Sequence, residues 1–233
     1  MNASPLSLSL SALAPPVLDG VRLRLERLSQ AHAPAVMALA EEVDCAERTA
    51  FMIEPPPADA AQRPAWIARK LAWPGRVYYA CVDRASGRPQ GFLSFMRDES
   101  AHRSVEIGDV LFGSAIRGAA GAEAVCLLLR FAFDDARYRR VEWKCDTRNA
   151  ASARAAVRFG FTYEGLFRQH MLIRGENRDT AWYAMLDGEW PARRAAFERW
   201  LAPDNFDAAG RQKTALGELM PTGSPAESRP PAL

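Results

Sequence analysis

The chain has 233 residues, 48% of them hydrophobic and 25% charged, with a formal net charge of +2. That length suits one domain that buries its own core without disulfides or metal. The near balance of charge gives no basis for obligatory binding to nucleic acid or membrane, and no apolar run reaches the ~18–20 residues that span a bilayer.

The opening MNASPLSLSLSALAPPV lacks a basic start, and Ser interrupts its apolar residues up to Pro15-Pro16. Residues 1–16 therefore read as an unpacked tail rather than a signal peptide. Residues 21–28 (VRLRLERL) alternate apolar and basic side chains, which predicts a strand with one wet face. Ser29 precedes an amphipathic stretch with Val36, Leu39, Ala40 and Val43 on one helical face. Three prolines at 55–57 break the chain before a second helix predicted over 58–72. Strands at 77–82 and 90–96 flank a Ser86-Gly87 turn, and 104–112 (SVEIGDVLF) is a third consecutive strand.

Residues 113–122 form a connection of mostly small residues, followed by a helix predicted over 123–136 with Val125, Leu128, Leu129 and Ala132 in one stripe. A short strand at 141–145 precedes a helix over 150–159, opened by Asn149 and closed by Gly160. Strand material follows at 161–166, 170–173 and 179–186, then a helix over 190–201 with Pro191 in its first turn. Beyond Ala202-Pro203 the chain turns polar and Pro-rich, so 204–233 is expected to be an unpacked tail. This order predicts an α/β fold: one domain over 17–203, a mixed sheet of about seven strands, helices on both faces.

Cys45, Cys81, Cys126 and Cys145 are far apart, as are His32, His102 and His170. That spacing suits neither a metal site nor a disulfide framework and points to a reducing, cytoplasmic compartment.

Chemistry concentrates in two stretches. Between a strand and a long helix, Arg117-Gly-Ala-Ala-Gly-Ala122 carries few bulky side chains. Backbone N–H groups there, with the positive helix end, can hold phosphate oxygens; the plain alternative is a tightly packed turn. The stretch is neither a Walker A loop nor a GxGxxG fingerprint. Downstream come Asn149-Ala-Ala-Ser152, Phe159-Gly160-Phe161 and Glu164-Gly165. Taken singly, Asn149 is a helix cap and Gly160 a helix terminator.

Together the two stretches resemble the successive motifs of GNAT acetyltransferases, in the branch that includes ribosomal-protein N-terminal acetyltransferases. The resemblance runs from Arg22 to about Trp190 and is sharpest over 149–165. It implies the GNAT fold and acetyl-CoA as co-substrate, with no metal. It also implies a pyrophosphate site at Arg117, Gly118, Ala119, Ala120, Gly121 and Ala122, and carbonyl polarisation by backbone N–H groups around Val110, Leu111 and Phe112. Asn149 would bond the pantetheine arm and Ser152 would serve the departing sulfur. The implied partner is a primary amine, on a small molecule or a protein N-terminus, and the enzyme would be a monomer or homodimer.

The chain also departs from the family pattern. Alanines at 119, 120 and 122 stand where glycines are common, Ala156 stands where many members carry a general-acid Tyr, and Met171 stands where related enzymes carry Glu. These departures motivate an alternative, a non-catalytic acyl-CoA-binding or interaction domain of the same fold. A catalyst needs a base, because an alkylamine of pKa ~10.4 costs roughly 4–5 kcal/mol to deprotonate at neutral pH. Glu106, Asp109 and His170 are the candidates; parity on a regular strand puts Glu106 and Asp109 on opposite faces, and an imidazole titrates near neutrality. The charged run 174–180 reads as a solvated turn, or, as the resemblance implies, as a border of the acceptor site that binds an acidic group. Trp143, Trp182 and Trp190 read as core.

Overall fold

One mixed sheet organises residues 10–208 and 210–221, the residues that the computed structural model describes. Its strands are β1 (Val17–Asp19), β2 (Leu23–Arg27), β3 (Val77–Asp83), β4 (Pro89–Glu99), β5 (Ser104–Phe112), β6 (Arg140–Asp146), β7 (Thr162–Ile173) and β8 (Glu176–Leu186). They lie in the order β1-β2-β3-β4-β5-β6-β8-β7. Every pairing is antiparallel except β5–β6, which is parallel.

The sheet thus has eight strands among the described residues, where the sequence pattern predicts about seven. β1 is the addition: the Glu123 carboxylate accepts the N–H groups of Val21, Arg22 and Leu23 at 2.7, 2.8 and 3.2 Å, holding a turn that folds Val17–Asp19 onto β2. In the other direction, the two segments expected at 161–166 and 170–173 are one strand, β7, interrupted by a register shift between Phe167 and Met171.

The helices are α1 (Leu10–Leu13), α2 (Ala33–Ala38), α3 (Cys45–Thr49), α4 (Arg63–Ala72), α5 (Ala119–Arg130), α6 (Ala150–Arg158), α7 (Trp190–Leu201) and α8 (Leu216–Leu219). Alternation along the strands sends side chains to two faces. On one face Leu25, Tyr79, Phe95, Ile107, Trp143 and Tyr183 pack beneath α5, α6 and α7 in the larger core. On the other, Tyr78, Phe92 and Leu111 pack against Val36, Trp66 and Ile67 of α2 and α4. That second helical cover stops at β5, and on the same face β6, β8 and β7 carry polar side chains such as Lys144, Thr180 and His170 together with the Trp182 and Phe167 rings.

α5 starts at Ala119, four residues before the expected Glu123. Alanine is the best helix former, so Ala119, Ala120 and Ala122 join the helix. Gly118, at φ +93°, makes the break that only glycine tolerates.

The expected tails pack further than their composition suggests. Leu10 is 2% exposed and its N–H donates to Asp98 Oδ2 at 2.8 Å, while Tyr79 donates to the Pro15 carbonyl at 2.8 Å. After Pro203, the Trp200 indole N–H donates to Gln212 Oε1 at 2.9 Å, and Leu216 is 1% exposed in the main core. A few apolar anchors suffice to hold a polar segment, which average composition hides. Residues 1–9 and 222–233, also expected in tails, lie outside the described residues.

The parallel ladder β5–β6 is short. It pairs Ser104 with Arg140, Val105 with Val141 and Glu106 with Glu142, then ends. Beyond Glu106 the two strands have no ladder between them, and a cleft opens there.

Candidate active site

The cleft has a volume of about 420 Å³, within the range of ~300–1,000 Å³ common for small-molecule sites. Residues 107–112 of β5 form one wall and residues 143–146 of β6 the other, with Gly118 and Gly121 at the start of α5.

At the α5 end the site is made of backbone. The first-turn N–H groups of a helix have no intrahelical partners and present positive potential. Arg117, at this end, is ion-paired to Asp44 at 2.8 Å, and Arg158 of α6 also lines the cleft. Gly121 permits the close approach of helix and strand: a Cβ there would sit 2.9 Å from the Ile116 carbonyl oxygen and 3.0 Å from the Phe112 ring. This cradle fits a pyrophosphate. Of the six residues expected to form it, Arg117, Gly118 and Gly121 line the cleft, whereas Ala119 and Ala120 take part only through the first helical turn. Ala122 does not contribute. It is fully buried and its N–H donates to the Gly118 carbonyl at 3.1 Å, because the early helix start turns it into the core.

Val110, Leu111 and Phe112 line the cleft. They follow a β-bulge, visible as the register change from Ser94↔Gly108 to Phe92↔Leu111 with Asp109 at φ +48°. The bulge overturns the parity argument: it returns Asp109 to the face of Glu106. Asp109 is nonetheless no free base. Its Oδ2 accepts from Lys70 Nζ at 2.7 Å, from Arg76 at 3.0 Å and from the Tyr78 hydroxyl. Burial, and then the Asp109 charge, push the Tyr78 phenol far above its ordinary range, so it remains a donor.

On α6, Asn149 is the helix cap: its Oδ1 accepts the Ser152 N–H at 3.0 Å, leaving its amide N–H₂ beside the cleft. Ser152 Oγ accepts the Trp143 indole N–H at 2.9 Å. A hydroxyl whose lone pair is so occupied directs its own proton elsewhere, toward Cys145 or a group in the cleft. Burial pushes the Cys145 thiol up to about 11. Trp143 is packed against Phe159 and Phe161, so it is core, as expected, and also the anchor of the Ser152 hydroxyl. Ala156, in place of a Tyr, is fully buried and lies outside the cleft lining.

The uncovered face supplies the third part. Glu106 and Glu142 share Lys144 Nζ at 2.8 and 2.6 Å, and Lys144 lies 3.8 Å from the Trp182 ring centroid. The register shift in β7, with Gln169 at φ +48°, carries His170 over β8. There Nδ1 meets Thr180 Oγ1 at 2.9 Å and the ring lies against Phe167 and Trp182. Burial first, then the nearby Arg97 and Arg178, hold its pKa below the ordinary 6.5, so the imidazole is neutral at pH 7. Glu106, His170, Met171, Arg178 and Thr180 all line the cleft. Among the described residues there is no cluster able to hold a metal, and no helix is long and apolar enough to cross a membrane.

Sequence reasoning missed Trp143 as the partner of Ser152, Arg158 in the cleft lining and Lys144 on the polar wall, whereas Arg178 and Thr180 lie in the charged run 174–180 for which an acceptor-site border was one of two expectations. A signal existed: Arg178, Thr180 and Trp182 alternate with smaller or solvent-facing neighbours on β8, so their side chains share one face.

Known proteins share this fold. The profile of the acetyltransferase (GNAT) domain matches residues 22–162. A GCN5-related N-acetyltransferase structure from Brucella melitensis is 42% identical, with a TM-score of 0.85 over 87% of this chain and 93% of its own. A structure from Chromobacterium violaceum ATCC 12472, described as a probable GNAT acetyltransferase, is 40% identical with a TM-score of 0.69, covering 77% and 96% of the two chains. A Vibrio cholerae structure proposed to be a ribosomal-protein-serine acetyltransferase shares the fold alone, at 19% identity and a TM-score of 0.61 over 73% and 97%. A search of curated proteins found no match. The chain belongs to the GNAT acetyltransferase family, whose reaction is acyl transfer from acetyl-CoA.

Proposed function

We propose that this protein acetylates a primary amine by direct attack of that amine on bound acetyl-CoA in a ternary complex. The observation that carries the reading is the cleft beyond Glu106, with an anchored hydroxyl on one side of the sheet and a neutral imidazole on the other. Gly118, Gly121 and the first turn of α5 hold the pyrophosphate, and the N–H₂ of Asn149 meets the pantetheine arm. The nitrogen lone pair attacks the thioester carbon while β5 backbone N–H groups near Val110 stabilise the developing oxyanion. The carbon–sulfur bond then breaks, and the sulfur leaves as a thiolate that accepts a hydrogen bond from Ser152 and takes up the proton lost by the newly acylated nitrogen.

His170 removes the ammonium proton. With Nδ1–H donating to Thr180 Oγ1, the Nε2 lone pair is free. Glu106, engaged by Lys144, sets the charge of the wall instead. The four free cysteines suit a reducing compartment such as the cytosol. Thiol release from acetyl-CoA with a panel of primary amines and peptides tests the reading. Release with none of them, while acetyl-CoA still raises Tm, would leave an acyl-CoA-binding domain without catalysis.

A further inference from the structure

The carboxylates that line the cleft each have a cation. Glu106 is paired with Lys144, Asp146 with Arg148 at 2.8 Å, Asp109 with Lys70 and Arg76, and Glu54 with Arg69 at 2.6 Å. The converse does not hold. Arg178 is 9% exposed and lines the cleft, yet its Nε is buried with no hydrogen-bond partner and no described carboxylate forms an ion pair with it. The carboxylates of Asp146 and Glu106 act on it only at longer range. A guanidinium stays protonated in a protein, and desolvating one without an anion is costly. A cation left unpaired beside an open cleft is matched by an anion that arrives with the ligand.

The position narrows the ligand further. Arg178 and Thr180 are two residues apart on one face of β8, about 6.6 Å along the strand. Thr180 holds the imidazole proposed to receive the amine proton. An anion on Arg178 and an amine at His170 are therefore separated by the span of a small molecule. A carboxylate matches the guanidinium fork with two parallel hydrogen bonds.

We propose that the acceptor is a small amino-carboxylate, an amine carrying its own carboxylate, and that Arg178 grips that carboxylate. The assignment rests on the acetyl-transfer reading above. It leaves the α5 end to the phosphates of acetyl-CoA and the β8 wall to the acceptor.

The test compares kcat/KM for free amino acids and short ω-amino acids with their carboxamides, in wild type, Arg178→Gln and Arg178→Lys. The acids should be preferred by at least ~10-fold, as expected for a charged hydrogen-bonded pair. Arg178→Gln should bring the ratio near one, mainly through KM, and Arg178→Lys should keep part of it. Equal use of acids and amides by wild type overturns the proposal, as does a ratio unchanged in Arg178→Gln. Preference for peptides with an acidic second residue over every free amino-carboxylate overturns it too.

A binding arm separates this failure from failure of the transfer reading. N-acetyl amino acids and their amides are titrated into protein saturated with CoA. Tighter binding of the acids by ~10-fold or more, lost in a folded Arg178→Gln protein, supports the carboxylate site even where no turnover is seen. Equal binding of the two overturns it.

Discussion

The two ends of the cleft are built differently. The α5–α6 end is assembled from two contiguous stretches, 117–121 and 149–158, and it works through backbone N–H groups, small residues and one capped helix. The wall on the opposite face of the sheet takes single side chains from separate strands: Glu106 from β5, Lys144 from β6, His170 from β7, Arg178 and Thr180 from β8. A backbone cradle suits a ligand part that never varies, since almost any small residue can serve it. A wall of isolated side chains can be changed one residue at a time without disturbing the fold. The first end therefore carries the family motifs, and the second is where the proposed acceptor contacts lie.

The sharpest break between the two should come at the wall. His170→Ala is expected to lower kcat/KM by about 10²–10⁴-fold at pH 7 with acetyl-CoA affinity preserved. In wild type the imidazole is the active form when unprotonated and its pKa is lowered by burial. Activity should then fall with decreasing pH through an apparent pKa below 6.5, and His170→Ala should lose that limb. A variant with the wild-type rate and the wild-type limb would move the base elsewhere.

Ser152 tests the junction of the two ends. Ser152→Ala should slow single-turnover transfer by about 10²-fold. A structural role alone predicts a different result: a drop in Tm with transfer unchanged. Trp143→Phe removes the indole donor, and a fall in rate much smaller than that of Ser152→Ala would show that the hydroxyl acts without its anchor.

At the cofactor end the expected effect is on binding. Gly121→Ala forces its Cβ against the Ile116 carbonyl oxygen at 2.9 Å, so α5 must shift from β5. Overpacking of this kind costs about 1–3 kcal/mol. Calorimetry should show acetyl-CoA affinity reduced by roughly 10-fold, with the acceptor's KM at saturating acetyl-CoA little altered. Equal loss for both ligands would mean that the two ends are one mechanical unit.

The smallest catalytic effect is expected far from both. Leu216→Ala removes a fully packed side chain and should cost about 2–4 kcal/mol of stability, read by denaturant unfolding, with kcat unchanged. A stability equal to wild type would mean that residues after 203 do not hold the domain.

The cofactor end was legible because its residues are neighbours in the chain. Gly118, Gly121, Asn149, Ser152 and Gly160 carry backbone demands, and such demands are local. The limits of β5 and α7 also matched the expected 104–112 and 190–201, the start of α7 being marked by Pro191 in its first turn. The bulge at Asp109 was not legible. It places Asp109 among Lys70, Arg76 and Tyr78, which lie more than thirty residues away. Likewise, nothing local tells that Leu216 finds the core while the polar residues around it do not.

By itself, then, the sequence determined the family and most of the strands and helices from β2 to α7, because capping, periodicity and glycine conformation act over a few residues. Only the tertiary structure decided that β5 and β6 part after Glu106, that Trp143 anchors Ser152, that His170 reaches Thr180, and that no described carboxylate forms an ion pair with Arg178. Those facts depend on register between strands and on which buried charges find partners across the sheet, and both are settled by packing between residues distant in the chain.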